Sequence, residues 1–151
     1  YAFGPVAGVM IEFCKILLKL MTKGTSTAMV GELANFVVGC SFILPASFLY
    51  WLKKSKKSAI FSSIVGTLIM TVVGSWLNGL YLLPTFANMF GMPLTSLVGM
   101  GTAVNPYIKD VTTLVLFAVV PLNLLKGSIV SLITILIYKK LSPILKIAYK
   151  K

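Results

Sequence analysis

Long apolar stretches, each close to the length of a membrane-crossing helix, alternate with short polar clusters along the chain. Apolar runs of about twenty residues favour helices, because barrel strands are shorter and alternate in character. Backbone groups in lipid must also be paired within each segment, which a helix achieves. We therefore predict an all-α integral membrane protein, a helical bundle forming one transmembrane domain over residues 1–151. About four transmembrane helices are predicted, at residues 5–21, 31–52, 58–83 and 111–138.

The lysines lie at the ends of these stretches and predict the orientation of the bundle. The loop at 53–57 and the C-terminal tail together hold nine lysines, whereas the opposite loops hold only Lys23 and Lys109. The positive-inside rule assigns lysine-rich loops to the cytoplasm. We expect a cytoplasmic basic loop at 53–57, an extracellular loop at 84–110, and both ends of this chain in the cytoplasm.

The composition agrees with a membrane protein and argues against nucleic acid or a metal ion as a ligand. Hydrophobic residues make up 58% of the chain and charged residues 11%, against roughly 25% charged residues in an ordinary soluble domain. The net charge of +11 does not indicate nucleic-acid binding, because the lysines form no single basic face. Cys14 and Cys40 lie inside apolar runs without CxxC spacing, and the chain has no histidine, so no metal site is expected.

Polar side chains inside a membrane segment are costly unless they are paired or face a cavity, so they are candidates for a binding site. Their depth follows from the helical rise of about 1.5 Å per residue and a hydrocarbon core about 30 Å thick. Three helices then carry polar groups at one level, the outer half of the membrane, which predicts a pocket open to the outside. The candidates are Glu32 and Asn35 on the second helix, Asn78 and Tyr81 on the third, and Asn123 and Lys126 on the fourth.

Several of these residues also have structural interpretations. Glu32 suits the first turn of its helix, where the dipole favours an acid. Asn35 suits an ordinary hydrogen bond between helices, and Lys126 suits an ion pair inside the bundle, for instance with Glu32. Glu12 and Lys15 are three residues apart and are expected to pair with each other.

The chain lacks the residues that most enzymes use. It has no G-x-x-x-x-G-K-[ST] motif for binding nucleotide phosphates. It has no histidine, and its acids are limited to Glu12, Glu32 and Asp110, which leaves few groups for acid–base catalysis. We predict that the chain is not an enzyme and has no cofactor of its own.

Four segments together resemble the riboflavin-specific substrate-binding (S) components of energy-coupling factor (ECF) transporters. They are Gly-Pro-Val-Ala-Gly at 4–8, Gly-Glu-Leu-Ala-Asn-Phe at 31–36, Asn-Gly-Leu-Tyr-Leu-Leu-Pro at 78–84 and Pro-Leu-Asn-Leu-Leu-Lys-Gly at 121–127. The resemblance covers nearly the whole chain, and the segment at 121–127 is its most specific part.

The resemblance implies a protein of the prokaryotic plasma membrane that captures riboflavin on the outer face. A transmembrane coupling subunit and two ATPase subunits would then drive uptake. It also implies that Asn123 and Lys126 contact the flavin, with Asn78 and the loop residue Asn88 as further candidates. The flat, largely apolar flavin ring suits a pocket with Asn amides, a Lys donor and an aromatic ring. Tyr81 or Phe86 would supply that ring.

The family has six helices, so this chain is expected to correspond to the last four of them. A first residue other than methionine, Tyr1, fits a chain that starts within a longer protein. Other interpretations remain open at this stage: an S-component for another vitamin such as thiamine or biotin, a membrane scaffold without ligand, and an enzyme acting on lipid.

Overall fold

A computed structural model describes residues 4–25 and 29–148, with residues 138–148 described by their backbone alone. All regular elements in these ranges are helices. Three of the helices are long and apolar enough to cross a membrane, which confirms the predicted all-helical membrane class. They are Val30–Leu52, Lys56–Met89 and Val111–Ile137.

Five helices are distinguished below. The first is shorter than the three spans, with 19 residues, and it carries Glu12, Lys15 and Lys19. A fourth membrane crossing by this helix therefore stays a prediction. The helices are α1 (Pro5–Lys23), α2 (Val30–Leu52), α3 (Lys56–Met89), α4 (Leu94–Val104) and α5 (residues 111–148).

The long helices pack against one another in chain order, α1 on α2, α2 on α3 and α3 on α5. The apolar core lies between α2 and α3, around Val38, Phe42 and Met70. Close approach depends on glycine: a Cβ at Gly66 would lie 2.9 Å from the carbonyl oxygen of Phe42, so α3 meets the backbone of α2 directly. Small residues at helix contacts are typical of membrane bundles, where van der Waals packing drives association.

Two segments of π-helix interrupt the long helices, and each ends two residues before a proline. They are Asn78–Leu82 in α3, before Pro84, and Val115–Val119 in α5, before Pro121. In a regular α-helix a proline ring collides with the carbonyl four residues earlier. The wider π turn relieves this collision, and both helices therefore continue through their prolines.

The ends of α3 and α5 consequently differ from the predicted ends. The third helix was predicted to stop at Leu83, but α3 runs to Met89, and the region 84–110 also contains α4. The last helix was predicted to end at Tyr138, but the backbone of α5 stays helical to Ala148, through Pro143. Lys150 and Lys151 of the predicted basic tail lie outside the described residues.

The start of α5 is fixed by a capping box. The side chain of Asp110 accepts a hydrogen bond from the backbone N–H of Thr113 (2.7 Å), and the Thr113 hydroxyl accepts one from the backbone N–H of Asp110 (2.9 Å). The hydrogen bond from the Thr113 backbone N–H, followed by one from the Thr113 hydroxyl to the same carboxyl (2.9 Å), holds the pKa of Asp110 below its ordinary value. The cap therefore favours the charged carboxylate at this helix N-terminus.

Candidate functional site

A cavity of about 200 Å³ lies where α2 begins, α3 ends and α5 passes beside both. Four of the seven predicted site residues, one on α2, one on α3 and two on α5, come together around it. The lining residues are Gly31, Ala34, Asn35, Val38, Asn78, Leu82, Phe86, Asn123 and Lys126.

Asn78 contributes an acceptor to this cavity. Its side-chain nitrogen Nδ2 lies 2.6 Å from the carbonyl oxygen of Gly74, one turn earlier on α3. A carbonyl oxygen can only accept, so the amide must direct its NH₂ group toward Gly74. The side-chain oxygen Oδ1 of Asn78 then remains for a ligand.

Asn123 contributes a side-chain amide to the cavity lining. Its Nδ2 atom is buried and has no hydrogen-bond partner among the described residues. A buried donor left without a partner costs about 1–3 kcal/mol. Nδ2 packs against Gly74, 2.8 Å from where a Cβ of residue 74 would lie, so a ligand acceptor in the cavity would remove this cost only when the amide turns toward it.

Lys126 contributes a positive charge. Its side chain is exposed and forms neither a hydrogen bond nor an ion pair within the described part of the chain. The alternative in which Lys126 pairs with Glu32 is wrong for this structure, because the carboxylate of Glu32 lies 3.1 Å from the ammonium of Lys19 instead. The ammonium of Lys126 is thus available to a ligand.

Glu32 belongs to the contact between α1 and α2 and is not among the lining residues. Its side chain is 3% exposed, and besides Lys19 it accepts a hydrogen bond from the hydroxyl of Thr25 (3.1 Å). The second ion pair on α1 joins Lys15 to Glu12, which confirms that expectation. Both pairs join buried acids to partly exposed lysines of α1, and none of these four residues lines the cavity.

Tyr81 and Asn88 also lie outside the cavity lining: Tyr81 is 58% exposed, and Asn88 is exposed near the end of α3. Each hydrogen bond in the π segment spans five residues, so one turn contains more residues than in an α-helix. The three-residue step from Asn78 to Tyr81 therefore covers a smaller part of a turn than it would in an α-helix. Tyr81 is therefore rotated away from the face of Asn78.

The aromatic residue that lines the cavity is Phe86, which the sequence left as an alternative to Tyr81. Asn78, Leu82 and Phe86 follow one another at intervals of four residues along α3. This spacing would have identified Phe86 if the helix had been predicted to continue past Pro84.

The cavity is a binding site in its chemistry rather than a catalytic one. It offers an acceptor from Asn78, the side-chain amides of Asn35 and Asn123, and a cation from Lys126, between apolar walls. Among the described residues, no three acidic or cysteine side chains cluster as metal ligands would. Such a set of groups can hold a flat molecule that has both donors and acceptors on its edge.

Comparison with known proteins identifies the family. The family described as "ECF transporter, substrate-specific component" matches residues 1–138. The chain belongs to this family. Members are substrate-specific components of transporters, so the prediction of a transport protein rather than an enzyme is confirmed.

Curated relatives match along nearly the whole chain. The riboflavin transporter RibU of Staphylococcus aureus (strain TCH60) is 34% identical over 147 residues, which are 97% of this chain and 70% of that protein. The riboflavin transporter FmnP of Bacillus subtilis (strain 168) is 32% identical over 93% of this chain and 69% of its own length. RibU of Streptococcus thermophilus is 32% identical over 96% of this chain and 63% of that protein. No solved structure gives a significant match.

Proposed function

We propose that this chain binds riboflavin from the outer face of a prokaryotic plasma membrane, as the substrate-capture subunit of an ECF transporter. A transmembrane coupling subunit and two ATPase subunits would supply ATP-driven uptake. The observation that carries the proposal is the convergence of Asn78, Asn123 and Lys126 on one cavity in a chain whose curated relatives bear the name riboflavin transporter.

The groups around the cavity suit the edge of a flavin ring. The pyrimidine part of the isoalloxazine ring carries carbonyl acceptors on either side of an imide N–H donor. Asn123 and Lys126 can donate to such carbonyls, and Asn78 can accept from an N–H through its side-chain oxygen. Phe86 and Leu82 offer apolar contact to the ring face. We assign Asn35, Asn78, Asn123 and Lys126 to the flavin site on these grounds.

The cavity is large enough to enclose only part of riboflavin. Sites that enclose small ligands hold roughly 300–1,000 Å³, and this cavity holds about 200 Å³. The polar edge of the ring would occupy the cavity, and the remainder of the vitamin would lie toward its opening. Glu32, Tyr81 and Asn88 have no contact with the ligand in this arrangement.

The proposed orientation places the cavity on the outer side. Gly31 at the cavity and Leu52 before the basic loop are 21 positions apart on one helix, or about 30 Å at 1.5 Å per residue. This distance equals the thickness of the hydrocarbon core. If the lysines of the loop are cytoplasmic, the cavity opens outward, as capture of an external vitamin requires.

Titration of riboflavin with the full-length, flavin-free protein tests the proposal, with flavin fluorescence as the readout. We expect quenching that saturates at about one chain per flavin, with no competition by thiamine or biotin. Absence of quenching at micromolar protein, together with calorimetric heat for one of the other vitamins, would transfer the chain to a different substrate within the same family.

A further inference from the structure

Gly74 lies one helical turn before Asn78 on α3, at the contact between α3 and α5. It is buried and does not line the cavity itself. Its surroundings nevertheless connect it to two asparagines of the cavity lining, Asn78 on α3 and Asn123 on α5.

The first connection is the space above the Cα atom of Gly74. A Cβ built there would lie 2.8 Å from Nδ2, 3.3 Å from Cγ and 3.5 Å from Oδ1 of Asn123. Real Cβ atoms essentially never approach another atom more closely than 3.0 Å. The amide of Asn123 therefore occupies the place that a side chain at position 74 would fill.

The second connection is the carbonyl group of Gly74. Its oxygen accepts a hydrogen bond from the side-chain NH₂ of Asn78 (2.6 Å) and also one from the backbone N–H of Asn78. The bond to the NH₂ group determines which way the Asn78 amide is turned, because a carbonyl cannot donate. The side-chain oxygen of Asn78 is thereby left as the acceptor.

We propose that Gly74 is a positioning residue for substrate binding, which leaves room for the amide of Asn123 and orients the amide of Asn78 at the cavity. This inference rests on the proposed function, in which the two amides contact the flavin. Gly74 acts through Asn78 and Asn123 and does not touch the ligand.

Other closely packed glycines on the same helices have a different role, which provides a control. The space at Gly66, two turns earlier on α3, is bounded by the backbone oxygen of Phe42 at 2.9 Å. A methyl group there disturbs the packing of α2 on α3 without meeting an amide of the site. Gly66→Ala is therefore a matched substitution on the same helix with a purely structural effect.

A double-mutant cycle on the full-length protein tests the inference. The dissociation constant for riboflavin and the ligand-free melting temperature are measured for Gly74→Ala, Asn123→Ala and the double variant, with Gly66→Ala in parallel. We expect Gly74→Ala to weaken binding about tenfold. The double variant should bind no more weakly than Asn123→Ala alone, because truncated Asn123 leaves room for the new methyl group.

Any loss of riboflavin affinity caused by Gly66→Ala, in contrast, should multiply with the loss caused by Asn123→Ala when the two substitutions are combined in one variant. Gly74→Ala with unchanged affinity, or with an effect that multiplies with Asn123→Ala, would overturn the inference. If Gly74→Ala alone does not fold, recovery of folding by adding Asn123→Ala supports the contact, and no recovery contradicts it. Failure of the unmodified protein to bind riboflavin would contradict the proposed function, and the melting temperatures would still report whether positions 74 and 123 are coupled.

Discussion

Substitution of Asn123 by leucine should lower the affinity for riboflavin without lowering the stability of the ligand-free protein. Leucine has nearly the same shape as asparagine but no polar atoms. In the ligand-free protein, Nδ2 of Asn123 is buried without a partner among the described residues. Removing such a group relieves a cost of about 1–3 kcal/mol, so the variant should melt at the same temperature as the parent protein or at a higher one.

The same substitution should weaken riboflavin binding. A flavin acceptor that met Nδ2 would be left unpaired in the complex, at a cost of about 1–3 kcal/mol. At ~1.4 kcal/mol per tenfold change, this corresponds to about fivefold to more than a hundredfold weaker binding. Flavin fluorescence titration gives the affinity, and thermal unfolding in detergent without ligand gives the stability.

Asn88→Leu provides the matched control, because Asn88 is exposed and outside the cavity lining. It should leave the affinity for riboflavin unchanged. The reasoning is refuted if Asn123→Leu binds riboflavin as tightly as the parent protein. It is also refuted if the loss of affinity is matched by a loss of ligand-free stability, since that would make Asn123 a structural residue.

Three further predictions concern charge and topology. Lys126→Met should weaken riboflavin binding at least about fivefold. The ligand-free melting temperature should stay unchanged, because Lys126 has no partner among the described residues. A lower melting temperature with a proportional loss of affinity would make the lysine structural. The lowered pKa of Asp110 means that its cap is fully present above the ordinary pKa of about 3.9 and is lost as the pH falls through the lower folded value. The melting temperature should therefore decrease in acid, and Asp110→Asn should reduce this decrease; an identical pH profile for the variant would contradict the assignment. In a background without native cysteines, an impermeant thiol reagent on intact cells should label a cysteine at Ser96 and not one at Ser55, and the reverse pattern would invert the proposed orientation.

The sequence was sufficient to predict where polar groups would meet. Asn35, Asn78 and Asn123 lie on three separate helices, yet a constant rise per residue placed them at one depth. The structure brings all three to one cavity together with Lys126. Depth along a helix follows from residue counting alone, which is why this part of the site could be predicted.

Rotation about the helix axis could not be predicted in the same way. Tyr81 was selected because it lies about one turn from Asn78, but the π segment between them changes the number of residues in a turn. Phe86 lies beyond Pro84, where the pattern predicts that the helix has ended. Proline normally ends a helix, and the sequence did not reveal that a wider turn before it would accommodate the ring.

Side-chain partners on different helices were also not predicted from the pattern. Glu32 was paired in the alternative interpretation with Lys126, whereas its carboxylate meets Lys19 on α1. The choice depends on which helices are neighbours, and the sequence alone did not give this order. Gly74 escaped notice for a related reason, since a glycine's role is defined by the side chain that occupies its empty space.

Spectroscopy of the purified full-length protein tests the central claim most directly. The protein is expressed in cells grown with riboflavin, purified without added ligand, and compared with the Asn123→Leu variant prepared in parallel. We predict a yellow protein that shows flavin absorbance at about one flavin per chain, and a variant that loses most of this absorbance during purification. A colourless parent protein that also fails to quench added riboflavin would contradict the assignment of this cavity to riboflavin capture.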